Sequence, residues 1–295
     1  IQMISILIPC YNFNAYPLVL KLEKQALLIG VNFEIICCDD GSFSLKNEGN
    51  QKINLLTNSK FIELKKNIGR IQNRIFLAKK AQYEWIIFLD VDSEPKKNDY
   101  LKKYISQIGS SDFVFGGNEF KYNMNGKFSL KNKFSKYREA KSAEVRKKKP
   151  YKYIISTNFM AKKSSFLSCY SKIKYISYGN DYIIGSILQN DNILICHIDN
   201  YTIVSVNDDN EQFILKSKDA LKNLYKNYSE GNLKKNSISI IKLFSVLDKL
   251  KMCKVFLSIT NPLEKFIFKK INAKDPNLIL FDIFRLRYLC SIKYS

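Results

Sequence analysis

Met3-Ile4-Ser5-Ile6-Leu7-Ile8 is a nearly unbroken apolar run that Pro9 stops. Such a run predicts a strand covered on both faces. Over residues 16–28, Leu18, Leu22, Gln25 and Leu28 recur at helical intervals, and Gly30 follows, as it does beyond a helix C-terminus. Phe33-Glu34-Ile35-Ile36-Cys37-Cys38 is a second strand pattern, ending in the turn sequence Asp39-Asp40-Gly41-Ser42. Phe61-Ile62-Glu63-Leu64 predicts a third strand, and residues 71–81 a helix. Trp85-Ile86-Ile87-Phe88-Leu89 predicts a fourth strand, which stops at Asp90-Val91-Asp92. Apolar strands alternating with helices predict an α/β fold with a parallel sheet.

Ligands of such sheets bind beyond the carboxyl ends of the strands. Three of these ends are polar: Tyr11 and Asn12, Asp39 and Asp40, Asp90 and Asp92. Further along, Thr157-Asn158-Phe159-Met160-Ala161 returns to apolar patterning, and Tyr178-Gly179-Asn180-Asp181 forms a glycine turn before a helix over residues 182–189. From about residue 232 the pattern changes again. Ile238, Ile240, Ile241, Leu243, Phe244, Leu247 and Leu250 mark an amphipathic helix interleaved with Lys242, Lys249 and Lys251.

At 295 residues with 46% apolar content, the chain suits one catalytic domain with an appendage. The expected division is residues 1–230 and a basic helical tail over 231–295. Charge adds a constraint. Forty-eight Lys and Arg against 27 Asp and Glu leave a net charge of +21, which implies an anionic partner. Nucleic acid, an anionic membrane and a phosphorylated substrate all qualify. Seven cysteines without a C-x-x-C pair read as reduced, buried thiols of a cytoplasmic protein, and one histidine, His197, disfavours a Cys/His zinc site. Residues 1–9 read as a strand rather than a leader. No apolar run approaches the roughly 18–20 residues of a spanning helix, so the expectation is a soluble or peripheral protein.

Asp90-Val91-Asp92 offers two carboxylates just past a buried strand. They could hold Mg²⁺ or Mn²⁺, which prefer oxygen ligands and substrate phosphates; they could equally be a solvated turn. Asp39 and Asp40 could face a nucleobase or only shape a turn. Arg70 and Arg74, one helical turn apart after Asn67-Ile68-Gly69, could meet a diphosphate or solvent.

Taken in order, Ser5-Ile6-Leu7-Ile8-Pro9-Cys10-Tyr11-Asn12, Asp39-Asp40-Gly41-Ser42, Asn67-Ile68-Gly69-Arg70 and Phe88-Leu89-Asp90-Val91-Asp92 resemble the family 2 inverting glycosyltransferases of bacterial type. The resemblance is strongest over residues 3–95 and continues more weakly to about residue 228. It implies the GT-A fold, a mostly parallel central sheet flanked by helices, here with a basic C-terminal helical extension. It also implies a nucleotide-diphosphate-sugar donor, with uridine diphosphate sugars the commonest, and a glycan or lipid-linked acceptor in cell-surface polysaccharide synthesis. By the same resemblance Pro9, Tyr11, Asn12, Asp39 and Asp40 would line the nucleoside pocket, and Asn67, Gly69, Arg70 and Arg74 would lie near the diphosphate. By that resemblance Asp90, Val91 and Asp92 would form the donor-side D-x-D element, with Asp90 and Asp92 holding the metal. Asp181 would be the general base.

Two departures qualify this. Asn180 replaces the first member of an acidic pair, and Val204 stands near where relatives carry a metal-binding histidine beyond Ile198-Asp199-Asn200. His197, inside an apolar segment, reads as a satisfied strand residue. The tail suits either an anionic membrane surface at the inner face of the bacterial membrane or packing on the catalytic domain or a second copy in a homodimer. A nucleic-acid-binding protein is the alternative function, but the chain carries no recognisable binding module and the acidic strand ends would repel phosphate. A sugar nucleotidyltransferase would carry a glycine-rich loop after the first strand, and residues 9–14 contain no glycine.

Overall fold

A computed structural model describes residues 2–122, 129–175, 177–206, 208–233 and 238–294. The opening apolar run is β1 (Met3–Cys10), followed by the helix Tyr16–Ile29 and β2 (Asn32–Asp39). Next come β3 (Ser59–Glu63), the helix Arg70–Lys80, β4 (Trp85–Leu89) and β5 (Ser93–Pro95). The middle of the chain adds β6 (Phe113–Phe115), β7 (Asn118–Tyr122), β8 (Asn158–Lys162), β9 (Ile195–His197) and β10 (Thr202–Val206). Seven strands form one sheet in the order β3-β2-β1-β4-β8-β6-β9, and β5-β10-β7 form a second, small sheet. Only β8 runs against its neighbours in the large sheet.

Strand alternation sorts the core into two layers. Leu7, Ile36 and Phe88 face one layer with the helices Arg70–Lys80 and Lys163–Tyr170. Ile6, Ile35 and Ile87 face the other, with Leu18, Val19 and Leu22 of the helix Tyr16–Ile29. Both faces are covered, which is why these strands read as continuous apolar runs rather than alternating ones. Phe88, Phe159 and Phe166 stack in the first layer, with ring centroids 4.8–6.1 Å apart. All seven cysteines are free thiols; six are buried and Cys196 is half-buried.

The tail joins this core. Ile241 and Phe244 of the helix Ser239–Lys249, Cys253 of Cys253–Thr260, and Leu286 and Leu289 of Leu278–Ile292 belong to the same buried layer as β4 and β8. The inner side of the amphipathic pattern is therefore spent on the rest of the protein. No helix among the described residues is long and apolar enough to cross a membrane.

Asn158, at the start of β8, ties the two sheets together. Its Oδ1 accepts from the Tyr100 hydroxyl at 2.9 Å and the Tyr104 hydroxyl at 2.7 Å. Its Nδ2 donates to the carbonyls of Gly117 at 2.7 Å and Asn200 at 2.9 Å. A neighbouring fully buried arginine, Arg146, donates to the carbonyls of Phe115, Gly116 and Ile198. Asn158→Ala leaves buried hydroxyls and carbonyls without partners, each costing about 1–3 kcal/mol. We expect the unfolding midpoint in urea to fall by an amount equivalent to about 2–4 kcal/mol, with the dependence on urea unchanged.

Candidate active site

The strand ends on one edge of the sheet, the loop before the helix Arg70–Lys80 and the turn before the helix Asn180–Asn190 border a cleft of about 1340 Å³. Gly69, Arg70, Arg74, Asp92 and Asp181 all line it. Asp90 stands behind them. Its Oδ1 accepts a hydrogen bond from Arg74, and its Oδ2 lies 3.8 Å from Arg70. The Arg74 side chain is only 3% exposed and also reaches the carbonyl of Ser156 at 3.4 Å. Burial alone would lower its proton affinity, but the Asp90 and Asp181 carboxylates outweigh that and raise it.

Those two arginines offset the repulsion among three carboxylates. The Asp181 carboxyl sits among protein atoms in the cleft wall, and burial raises its pKa above the ordinary aspartate range. A hydrogen bond with Ser156 and the charges of Arg70 and Arg74 pull the other way. Water reaches Asp92, yet the surrounding walls raise its pKa too, and nearby Asp90 adds to the effect. A carboxylate crowded by another, as Asp92 is by Asp90, is an oxygen donor that a divalent cation satisfies. The residues fit such a cation through Asp92 and the Asp90 oxygen that Arg74 leaves uncovered. Among the described residues no third His, Cys, Asp or Glu joins them. Val204, paired with Ser93 across the small sheet, lines the cleft and carries no ligand atom. His197 is fully buried, and burial pushes its pKa down to about 4. Arg146 contacts its Nδ1 at 3.0 Å and the Pro150 carbonyl its Nε2 at 2.9 Å, so both ring nitrogens are engaged.

The nucleoside group expected from sequence gathers at the neighbouring ends of β1 and β2 and does not line the large cleft. Cys10 pairs with Asp39 in register, Pro9 is half-buried and Tyr11 is exposed. Asp39 is buried, and its oxygens accept from the backbone N–H of Asn12 and from the N–H and hydroxyl of Ser42. In this arrangement it shapes the turn. Asp40 accepts from the N–H groups of Ile68 at 2.8 Å and Gly69 at 2.9 Å, fixing the loop that delivers Arg70. Gly41 permits this: its φ is +63°, and a Cβ there would meet the Lys66 carbonyl carbon at 2.4 Å. Asn67 is exposed and Val91 half-buried, both outside the cleft lining.

Asp181 is placed by a helix distant in sequence. Gly179, with φ +83°, lies against Ala220 of the helix Asn210–Ser229; a Cβ at 179 would come within 2.9 Å of the Ala220 Cβ. Asn223 of that helix donates to the Tyr178 carbonyl at 3.2 Å and to Asn180 Oδ1 at 2.7 Å. Asn180, the departure from an acidic pair, therefore anchors the turn through an amide that accepts from a neighbouring amide. Ser156 stands in the sequence only as the start of the weaker resemblance Ser156-Thr157-Asn158-Phe159, with no site role, and Asn223 is not marked at all. The polar stretch Ser156-Thr157-Asn158 ahead of an apolar strand was the signal available for the first; the second had none.

The chain matches the Glycosyl transferase family 2 description over residues 5–169. That span holds every residue that the sequence resemblance assigns to the donor side and stops before Asp181. Among solved structures it resembles S. aureus TarS 1-349 in complex with UDP-GlcNAc, with TM-score 0.52, 15% identity, and 100% of this chain and 92% of that one covered. S. aureus TarS 1-349 also matches, with TM-score 0.50, 17% identity, and 99% and 92% covered. A longer S. aureus TarS gives TM-score 0.49 at 18% identity, with 75% of this chain covered; the chain spans only 39% of that protein. No curated protein sequence matches the chain. At these identities the likeness shows the GT-A fold.

The Arg74–Asp90 pair is testable by itself. Arg74→Met strands a carboxylate in the cleft wall and is expected to cost about 3 kcal/mol or more in urea unfolding. Arg74→Met combined with Asp90→Asn should recover a large part of that loss, because the stranded charge is gone.

Proposed function

The chain belongs to glycosyl transferase family 2, and on that premise we propose that it transfers a hexosyl group, with inversion and divalent-metal assistance, from a nucleotide-diphosphate sugar to a hydroxyl of a glycan or lipid-linked acceptor in cell-surface polysaccharide synthesis. The observation that carries this reading is the shared cleft. Asp181 and Asp92 arrive from opposite halves of the sequence and line one cavity, which Arg70 and Arg74 line as well.

Inverting transfer is a single displacement at the anomeric carbon. It needs a base on one side and charge neutralisation on the leaving side. Asp181 takes the proton of the acceptor hydroxyl as that oxygen forms the new bond, and the nucleoside diphosphate departs from the opposite face. The raised proton affinity of Asp181 makes it a stronger base than an exposed aspartate. Arg70, with a side chain 62% exposed, is free to meet the diphosphate, whereas Arg74 is committed to Asp90. Mg²⁺ or Mn²⁺ held by Asp90 and Asp92 would neutralise charge on the leaving diphosphate. A uridine diphosphate sugar is the favoured donor; the similarly folded TarS 1-349 was solved with UDP-GlcNAc.

A thermal-shift screen of nucleotide sugars tests the donor side. A ligand that binds only the folded state raises the melting temperature. One diphospho-sugar class should stabilise the protein in the presence of Mn²⁺, and Asp92→Ala should abolish the shift. No stabilisation by any nucleotide sugar, with or without metal, would sink the reading.

The base is tested by Asp181→Asn, which should keep donor binding and lower transfer about 10²–10⁴-fold. In the parent protein, transfer at saturating donor should fall as pH drops through a midpoint above the ordinary aspartate value of about 4, because the carboxylate must be ionised to accept the proton. Arg70 lowers the proton affinity of Asp181, so Arg70→Gln should move that midpoint to higher pH.

A further inference from the structure

Two tail helices carry apolar side chains on opposite sides, and only one side is used. Along Ser239–Lys249, Ile241 and Phe244 point into the core. Leu243, Val246 and Leu250 lie roughly half a turn away at 100° per residue. Along Cys253–Thr260, Cys253 and Thr260 are buried, while Val255 and Ile259 lie on the far side. Leu263, Phe266 and Phe268 extend the series into the helix Glu264–Ile271. These eight side chains are 46–66% exposed. Residues 243–268 hold nine of the 24 large apolar side chains that stand exposed among the described residues, in under a tenth of the chain. Isolated exposed apolar residues are ordinary, but such a concentration marks an interaction surface.

Charge selects the partner. Seven lysines fall between residues 242 and 270, all exposed. The two acids in that span are turned to other cations: Asp248 pairs with Lys293, and Glu264 with Arg287 at 3.2 Å. A second copy would set seven lysines against seven. Nucleic acid answers the charge but not the aliphatic stripes, since it binds through phosphate contact and ring stacking. An anionic bilayer answers both, with headgroups for the lysines and the headgroup–acyl boundary for the apolar side chains. The surface also begins at the cleft: Ile240 and Leu243 line the cavity that contains Asp181.

We propose that the outward side of residues 243–268 docks the protein on an anionic lipid bilayer, with Val255, Ile259, Leu263 and Phe266 inserted at the headgroup boundary. This goes beyond the transfer reaction and stands or falls separately from it.

The test is co-sedimentation of the full chain with phosphatidylcholine vesicles, with and without phosphatidylglycerol, at low and high salt. Binding should require phosphatidylglycerol and weaken as salt rises. Val255→Glu with Ile259→Glu, and separately Lys254→Glu with Lys269→Glu, should each weaken binding about tenfold or more, because each removes one of the two attractions. All four positions are exposed and lie outside the cleft lining, so melting temperature and nucleotide-sugar binding should match the parent. An Ile259→Trp variant adds a direct readout, since its emission should shift to the blue when the indole enters the boundary. Unchanged vesicle binding in both double variants overturns the proposal. So does a dimer in solution that Ile259→Glu dissociates while vesicle binding persists.

Discussion

Two carboxylates that line the cleft, Asp92 and Asp181, and a third behind them, Asp90, are gathered around a buried guanidinium. Arg74 projects from the helix that follows the Asp40-anchored loop, and it bonds Asp90 at the end of β4. In a region of reduced dielectric, unpaired negative charges at such spacing would repel strongly. The cation makes their proximity tolerable without removing the raised proton affinity of Asp92 and Asp181. Helix, strand end and turn are thus held in relation by electrostatics as much as by packing. The second arginine, Arg70, lies 3.8 Å from Asp90 and stays open to solvent, a division of labour between a buried cation and an exposed one.

The sequence made the first half of this arrangement readable because its strands are buried on both faces. Unbroken apolar runs are visible without knowing what covers them, and β4 occupies the five residues expected of it, Trp85–Leu89. The second half was less legible for a physical reason. β5, β6 and β9 are three residues long, too short for a period to show, and β8 reverses direction in a way that no local pattern records. Pairing between β10 and β7 depends on contacts about 84 residues apart. The acidic strand ends were visible as residue types, but their partners were not. Nothing in Asp39-Asp40-Gly41 distinguishes a carboxylate turned inward to Ser42 from one reaching across to the N–H groups of Ile68 and Gly69. That difference arises only when two loops meet, as Gly41 allows.

The tail shows the same limit from the other side. Its amphipathic pattern fitted either burial against the protein or a lipid surface, and period alone could not choose. In the folded chain the two are not exclusive. Ile241 and Phe244 complete the core while Leu243 and Val246 remain outside. A helix with apolar residues on both sides is what a thin covering layer between a core and a second apolar medium requires.

The contact between Gly179 and Ala220 has a consequence for redesign. The turn that presents Asp181 is pressed against the helix Asn210–Ser229 with no room for even one methyl group, and Asn223 grips it on both sides. The gap between Asp181 and the opposite wall is therefore set by where a twenty-residue helix rests, and that helix in turn packs on Leu278–Ile292. Under the proposed reaction, admitting a bulkier acceptor is then a matter of relocating a rigid beam and its neighbour; trimming side chains along the walls would enlarge the chamber but leave its jaws at the same separation.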